Sequence, residues 1–338
     1  MTKAPTGADS PKLGWLLQSY FYDYLIAQRQ ASPRTVTAYR DVFRLLLRFA
    51  VRRDRHALAE MGLQDLNREL VLAFLDHLER ERGNTARTRN VRLAAIRSFV
   101  SYAVLQDPLA LSTVQQVLAI PMKRHDRGPI HYLSVVEMNS LLEAPQTSTW
   151  SGRRDQVLLR TLYNTGGRVS EIAALRRKDV DAEDRLVVHL RGKGRKARVI
   201  PLWRDTASLL RKWLEELPDE PGTPLFPNRA GQAMTRSGVS QRLKVAVAAA
   251  GCSCPSLGRA KVTPHVIRHT TAMHLLQSGV ELSVIALWLG HESIETTHGY
   301  VEADLALKEQ ALARLAPPSI ESTRYRPQPE LLAFLDSL

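Results

Sequence analysis

Four short segments in the second half of the chain carry side chains that can hold an anion and transfer protons. The first, TGGRVSEI, places Arg168 after two glycines, at a tight turn directly before a predicted helix. A guanidinium beside a helix N-terminus can bind an anion through two parallel hydrogen bonds. The alternative is an arginine at a helix start that only pairs with Glu171. Arg168 is therefore a candidate anion ligand with a structural alternative.

The second segment is the basic turn RGKGRK, which lies between two β-rich runs and predicts a hairpin. A lysine on such a turn can reach a neighbouring site and donate a proton to a leaving oxygen. Lys193 is the preferred candidate and Lys196 is the second. A solvated turn is the alternative for both lysines.

The third segment, TPHVIRHT, predicts a helix start with Thr263 as the N-cap and Pro264 in the first turn. His265 and Arg268 lie three residues apart on one face, so one can exchange protons while the other holds charge. His265 and His269 could instead bind zinc. No glutamate lies between them, however, and Arg268 would place positive charge beside the metal. Proton transfer is therefore the favoured interpretation.

The fourth segment, LGHESIETTHGY, ends in Tyr300. Gly290 predicts the end of a helix, and His291 follows it where a polar ring can face a cleft. A phenol with its ordinary pKa near 10 is a poor nucleophile unless neighbouring cations favour the phenolate. Most tyrosines are core or surface residues, so a nucleophilic role for Tyr300 depends on the other three segments.

The order and spacing of these segments are similar to those of one known family. An arginine in a TGxR-S-E turn, a lysine in a GKG hairpin, H-x-x-R-H-T, LGH and a final tyrosine resemble the tyrosine recombinases, which include phage integrases and Xer resolvases. Arg168 and Lys193 are 25 residues apart, and Arg268 and Tyr300 are 32 apart, in agreement with that pattern. The resemblance covers about residues 13–312.

The resemblance implies that Tyr300 attacks a DNA phosphate, giving a 3′-phosphotyrosine link and a free 5′-hydroxyl. Arg168 and Arg268 would bind the scissile phosphate and stabilise its pentacoordinate transition state. Gly299 is a departure, because family members often have a bulkier apolar residue before the nucleophile. This change bears on how firmly Tyr300 is positioned.

The resemblance also assigns the proton transfers. Lys193 would protonate the departing 5′ oxygen, His265 would act as general base or proton shuttle, and His291 would hydrogen-bond the phosphate. One phosphodiester is exchanged for another of similar energy, so the reaction needs no ATP. Two arginines already neutralise the phosphate, so no metal or other cofactor is expected.

The elements around these segments predict a mostly α-helical fold with a small β-sheet. Ser32 and Pro33 predict a helix start, and a later helix begins after Asn84 and carries Val91 among its apolar positions. Further helices are predicted over 70–81, 205–217, 236–250, 264–277 and 282–289, and β-runs over 186–190 and 197–201.

By the same resemblance, the fold is a two-domain DNA clamp with a helical core-binding domain and a tyrosine recombinase catalytic domain. The predicted parts are a flexible N-terminus (1–12), a SAM-like core-binding domain (13–120), a linker (121–130), the catalytic domain (131–315) and a tail with a short amphipathic helix (316–338).

The charge balance favours a polyanionic partner. The 338 residues include 47 Lys and Arg against 34 Asp and Glu, a net charge of +13, and each neutralised phosphate releases counterions. Charge alone does not separate nucleic acid from an anionic membrane, and the resemblance to the tyrosine recombinases implies that the partner is double-stranded DNA. The predicted DNA-contacting residues are Arg34, Arg40, Arg87, Arg89, Arg92, Arg195 and Lys196.

Composition also indicates the cellular compartment in which the protein is expected. No apolar run approaches the ~20 residues of a membrane span, and the polar N-terminus lacks the apolar core of a secretory signal. Two cysteines are too few for a disulfide framework or a four-cysteine zinc site. A cytoplasmic, nucleoid-associated protein without a membrane partner is expected.

Self-association is expected through the tail. Leucines and a phenylalanine form an apolar stripe on a predicted helix over 329–338, which we expect to dock on a neighbouring subunit in a synaptic tetramer. Packing on its own domain is the alternative, and a related recombinase is a further candidate partner. The tail after Pro318 favours a mobile-element recombinase.

The sequence is also compatible with three other functions. A type IB topoisomerase would use the same nucleophile but reseal the original strand. A catalytically silent DNA-binding regulator would not need Tyr300. A metal hydrolase built on the histidines would lose activity with a chelator.

Overall fold

A computed structural model describes residues 11–54, 58–124, 130–181, 186–192 and 197–291, together with Thr297 and Tyr300. These residues belong to two units, Met1–Arg127 and Gly128–Leu338. The division lies inside segment 121–130, which the sequence predicts to be a linker. Lys193, Arg195, Lys196 and the tail helix over 329–338 lie outside the described residues.

The first unit is helical throughout its described residues. Side chains cap its helices. Ser32 Oγ, at a helix start that the sequence predicts, accepts a hydrogen bond from the Thr35 N–H at 3.2 Å, and Asn67 Oδ1 accepts one from the Leu70 N–H at 2.9 Å. The helices are α1 (Leu13–Ser19), a π-helical continuation (Tyr20–Gln28), α2 (Pro33–Asp54), α3 (Arg68–Arg80), α4 (Ala86–Ala103) and α5 (Leu111–Leu118), with 3₁₀ turns at Leu63–Asp65 and Pro108–Ala110.

An aromatic cluster fills the core of this unit. Tyr20 is fully buried, its ring centroid lies 5.3 Å from that of Phe99, and its hydroxyl donates to Ser98 Oγ at 2.7 Å. Burial raises the pKa of Tyr20 to about 12. Phe99 comes from α4, whose predicted apolar face is buried except for Val91, which is 57% exposed. The face that packs therefore excludes Val91.

The second unit combines helices with one small antiparallel sheet. Strand β1 (Val180–Asp181) pairs with β2 (Val187–Arg191), which pairs with β3 (Ala197–Pro201) so that Arg191 lies opposite Ala197. The helices are α6 (Val135–Glu143), α7 (Trp150–Thr165), α8 (Val169–Ala174), α9 (Arg204–Glu215), α10 (Arg236–Ala250), α11 (Pro255–Arg259), α12 (Pro264–Gln277) and α13 (Leu282–Leu289), with a 3₁₀ turn at Arg177–Asp179.

The core of the second unit locks α7 against α12 and the sheet. Leu158, Val188 and Ile267 are fully buried in one apolar cluster. Thr271 Oγ1 on α12 donates to the Tyr163 carbonyl on α7 at 2.6 Å. These contacts hold the C-terminal end of α7 against α12, and a bond from Arg268 to the Leu289 carbonyl holds the end of α13 against α12. Among the described residues, no helix is both long and apolar enough to cross a membrane.

Candidate active site

Two glycines let the chain turn sharply between α7 and α8. Gly166 has φ +55°, and a Cβ on it would lie 2.5 Å from Leu289 Cδ2. A Cβ on Gly167 would lie 2.8 Å from Ile172 Cδ1. Gly166 adopts a left-handed φ that favours glycine, and at both positions a Cβ would displace a neighbouring side chain. The turn brings α13 against the start of α8 and makes Arg168 the N-cap of α8.

Glu171 anchors two arginines from different elements. Its carboxylate accepts hydrogen bonds from the Arg168 N–H at 2.8 Å and from Arg168 Nη1 at 3.0 Å. Arg198 on β3 donates to the same carboxylate through Nη2 at 2.7 Å and Nη1 at 3.2 Å. Burial would raise the pKa of Glu171, but the bonds from Arg198 and Arg168 lower it below its ordinary value.

Arg168 makes the pair with Glu171 that the structural alternative predicts, and anion binding by Arg168 stays a prediction. It pairs with Glu171, as a helix-start arginine would, and its Nη2 also donates to the Gly290 carbonyl at 3.2 Å. Its side chain keeps 39% of its surface exposed. The pairing fixes one edge of the guanidinium and leaves exposed surface from which an anion could be bound.

Arg268 is buried but is held by carbonyls. Its Nη1 donates to the Gly166 carbonyl at 2.7 Å and its Nη2 to the Leu289 carbonyl at 2.8 Å, and the residue is 3% exposed. Burial, followed by the charge of Arg168, lowers the pKa of Arg268 to about 10. Two partly desolvated guanidinium groups thus lie close together, an arrangement that a bound anion would stabilise.

His291 follows directly after the left-handed Gly290 that ends α13. Gly290 has φ +66°, and the His291 N–H donates to the Ala286 carbonyl at 2.9 Å, which closes the helix end. The ring Nδ1 lies 2.8 Å from Thr297 Oγ1. Burial, then the charges of Arg268 and Arg168, lower the pKa of His291 to about 4. The imidazole is therefore neutral near pH 7.

Tyr300 is buried among histidines from α12 and from the end of α13. It is 3% exposed, and its hydroxyl oxygen lies 2.9 Å from His269 Nδ1. The His291 ring stacks nearly parallel to the phenol ring at 6.2 Å. Burial raises the pKa of Tyr300, and the charge of Arg268 opposes that rise. The phenol is therefore protonated near neutral pH and needs a base before it can attack.

His265 lies at the exposed start of α12. Thr263 Oγ1 accepts a hydrogen bond from the Val266 N–H at 3.3 Å and caps the helix as the sequence predicts. One turn on, the His269 ring contacts that of His265 with a centroid distance of 4.2 Å. Within the described part of the chain, no group of three or more His, Cys, Asp or Glu side chains is arranged to hold a metal ion.

The structure thus brings four predicted site residues together, and it adds side chains that the sequence interpretation missed. Arg168, Arg268, His291 and Tyr300 converge, whereas Lys193 lies outside the described residues. The missed residues are Arg198, which had the signal of a lone charge in an apolar strand, and His269, which was considered only as half of a metal pair.

The predicted DNA-contacting arginines differ in exposure. Arg34, Arg40 and Arg87 are exposed, and Arg40 also pairs with Asp41 at 2.9 Å. Arg92 is partly buried, and burial together with the charge of Arg82 lowers its pKa. The remaining two members, Arg195 and Lys196, are outside the described residues.

The structure corrects the prediction for Arg89. Arg89 is 3% exposed, because α4 turns this residue toward the interior of the first unit. Its Nη1 donates to the Pro121 carbonyl at 3.4 Å, and its Nε lies 3.7 Å from the Glu79 carboxylate. Its guanidinium thus holds segments of the unit together and is not placed to contact DNA.

Comparison with known proteins covers both units. The model of the phage integrase family matches residues 131–306, and that of the phage integrase N-terminal SAM-like domain matches residues 19–107. "Putative integrase/recombinase y4rC" of Sinorhizobium fredii is 46% identical over 96% of this chain and 97% of its own. "Tyrosine recombinase XerC" of Chlamydia trachomatis is 32% identical over 70% of this chain and 74% of its own.

Solved structures share the fold at lower identity. A post-cleavage complex of XerH recombinase with a palindromic difH substrate matches with a TM-score of 0.66 and 21% identity, over 92% of this chain and 91% of that one. The Tn1549 transposon integrase in complex with a circular intermediate DNA matches with a TM-score of 0.67 and 19% identity, over 89% and 99%. The chain belongs to the phage integrase family and is a tyrosine-type site-specific recombinase.

Proposed function

We propose that this recombinase cuts and rejoins double-stranded DNA through a 3′-phosphotyrosine intermediate formed by Tyr300, without a metal ion or ATP. The observation that carries the proposal is the convergence of the buried Tyr300 phenol, two histidines that contact it and the guanidinium groups of Arg168 and Arg268 around the end of α13.

The charge of this cluster suits a phosphodiester. Arg168, Arg198 and Arg268 contribute three positive charges and Glu171 one negative charge, so these four side chains leave an excess of two. A diester carries one negative charge, and its pentacoordinate transition state concentrates charge on the non-bridging oxygens. Guanidinium donors that are already fixed in position stabilise that state more than the ground state.

The chemical step can be written from these side chains. Tyr300 Oη forms a bond to phosphorus, the bond from phosphorus to the 5′ oxygen breaks, and Lys193 gives that oxygen its proton. His265 takes the phenol proton, or passes it on, and His291 donates a hydrogen bond to the phosphate. Rejoining runs the same steps backward from a 5′-hydroxyl, so the bond energy is conserved and no ATP is required.

Partners and setting complete the proposal. Strand exchange joins the cut strands of two duplexes, so it requires more than one subunit on DNA. One similar solved structure is a lambda integrase tetramer bound to a Holliday junction. We propose a synaptic tetramer joined through segment 329–338, action at the nucleoid, and service to a mobile element. A related recombinase could supply some of the subunits.

The test is adduct formation on nicked duplexes drawn from the DNA that flanks the gene, without metal or ATP. The wild type should form a denaturant-resistant protein–DNA adduct, and Tyr300→Phe should form none. Tyr163→Phe is the matched control, because the hydroxyl of Tyr163 is also bonded to a histidine ring, at 2.7 Å from His274 Nδ1, on a tyrosine that is partly buried. DNA binding without an adduct in the wild type would favour a silent regulator.

A strand-exchange assay separates recombination from topoisomerase activity. Two differently labelled duplexes should yield exchanged products with this chain. Relaxation of supercoiled DNA without exchanged products would instead support the type IB topoisomerase alternative. Full activity in a chelator is expected, and its loss would contradict the metal-free step.

A further inference from the structure

We propose that His269 is a catalytic residue that accepts the phenol proton of Tyr300 during cleavage and returns it during rejoining. This inference rests on the proposed function, and it moves the base from the start of α12 to the residue one turn further along. The geometry that points to it is direct contact with a reacting atom.

His269 meets the hydroxyl of Tyr300 at hydrogen-bond distance. Nδ1 and Oη are 2.9 Å apart, and the two rings meet edge to face with centroids 5.5 Å apart. A neutral imidazole carries one proton on one of its two nitrogens, so Nδ1 accepts from the phenol when the ring proton is on Nε2. The base is then already aligned with the proton that it must take.

The surroundings keep this imidazole neutral before DNA binds. Burial, then the charges of His265 and Arg268 on the same helix, lower the pKa of His269 to about 4. The other titratable groups that face it are His291 and Tyr300. A phosphate bound beside Arg268 brings negative charge, which favours the imidazolium and raises the pKa of His269. The base therefore becomes stronger when substrate is present.

Every proton that moves is accounted for in both half-reactions. In cleavage the proton moves from Tyr300 Oη to His269 Nδ1, the bond from Oη to phosphorus forms, and the 5′ oxygen leaves with a proton from Lys193. In rejoining a 5′-hydroxyl attacks phosphorus, Lys193 takes its proton, and the His269 imidazolium protonates the leaving phenolate. No external oxidant, reductant or cofactor enters.

His265 has a different place in this scheme. It is exposed at the start of α12, and its ring packs against that of His269 at 4.2 Å between centroids. It is therefore positioned to exchange protons with solvent or to contact the phosphate, while His269 contacts the nucleophile.

Three substitutions test the assignment. His269→Asn keeps an amide near the position of Nδ1, which can hydrogen-bond but cannot carry the proton away. His269→Leu removes the contact. His274→Asn is the matched control, because His274 is a partly buried histidine on the same helix that bonds to Tyr163 and to the Leu133 carbonyl. Thermal unfolding and DNA mobility shift show whether each variant folds and binds.

The measurement is the single-turnover rate of adduct formation from about pH 6 to about pH 9. Loss of a general base costs on the order of 100-fold. We therefore expect about 100-fold slower cleavage for His269→Asn at neutral pH, with a rate that rises about tenfold per pH unit because hydroxide must replace the base. His274→Asn should keep the wild-type pH profile, whatever its stability.

A modified substrate separates the two ends of the reaction. A duplex with sulfur in place of the 5′ oxygen has a leaving group that needs no proton, since a thiol has a pKa of about 8.5. This substrate should restore Lys193→Ala and leave His269→Asn slow. Three results would each overturn the assignment. His269→Asn could show the wild-type pH profile, or the sulfur substrate could restore its cleavage rate. The slow, pH-dependent cleavage could also appear in His265→Asn instead of His269→Asn. No adduct with wild type would overturn the proposed function itself.

Discussion

Replacing Glu171 by glutamine should lower the free energy of unfolding more than the loss of a surface ion pair does. The carboxylate is buried and accepts four hydrogen bonds from Arg168 and Arg198, whose side chain is only 11% exposed. Removing one partner of a buried pair costs about 3–5 kcal/mol, because it leaves an uncompensated charge. Glutamine keeps one oxygen acceptor, so we expect a loss of roughly 2–4 kcal/mol in the free energy of unfolding.

The assay is thermal unfolding of the second unit, followed by tryptophan fluorescence. A loss of that size lowers the Tm of a unit of this length on the order of 10 °C. The matched control is Glu216→Gln, because Glu216 also binds an arginine in two places, with Arg153 Nε at 2.8 Å and Nη2 at 2.9 Å, but at the surface. Because water screens that exposed pair, Glu216→Gln should lower the Tm much less than Glu171→Gln does.

The same variant should change the dependence of stability on pH. The pKa of Glu171 in the folded chain lies below its value of about 4.3 in an unfolded chain. Its stabilising contribution is therefore complete above about pH 4.3 and is lost as pH falls through the folded pKa. The gap in stability between wild type and Glu171→Gln should stay constant near neutral pH and narrow in acid. Equal Tm values for the Glu171 and Glu216 variants would refute the reasoning.

Three further predictions concern the turn, the first unit and the tail. Gly166→Ala should lower the free energy of unfolding by about 2–4 kcal/mol, because it adds overpacking to a left-handed φ. The control is Gly83→Ala, where φ is +60° but the space around the glycine is open, and it should cost about 1 kcal/mol in thermal unfolding. Arg87→Ala should lower DNA affinity and the slope of log affinity against log salt by about one, whereas Arg89→Ala should mainly lower stability; the reverse pattern would contradict the assignment of the exposed and buried arginines. Deleting residues 329–338 should impair strand exchange more than binding to a single site in a mobility shift, and equal loss of both would refute a role between subunits.

Local sequence signals predicted the parts of the site that one element builds by itself. The capping threonine of α12, the left-handed glycine after α13 and the double glycine before Arg168 are each recognisable from neighbouring residues, and each occurs in the structure. The fixed order of the motifs then indicated which segments meet. These signals were sufficient for the helical fold, the small sheet and the family.

Long-range packing decided what the sequence did not show. Arg198 is 27 residues from Glu171 along the chain, and only the position of β3 beside α8 makes it a second anchor. Arg89 resembles its exposed neighbour Arg87 in sequence, but the rotation of α4 buries one and exposes the other. The bond from His269 to Tyr300 likewise depends on where the chain returns after α13.

The most direct test of the whole account is to identify the residue that becomes joined to DNA. The wild-type adduct on a nicked duplex is trapped in denaturant, digested with protease and nuclease, and its modified peptide is sequenced by mass spectrometry. The account predicts a nucleotide on the phenol oxygen of Tyr300 and on no other residue, with the 3′ phosphate retained in the link. A nucleotide on another side chain, or an adduct that persists in Tyr300→Phe, would contradict it.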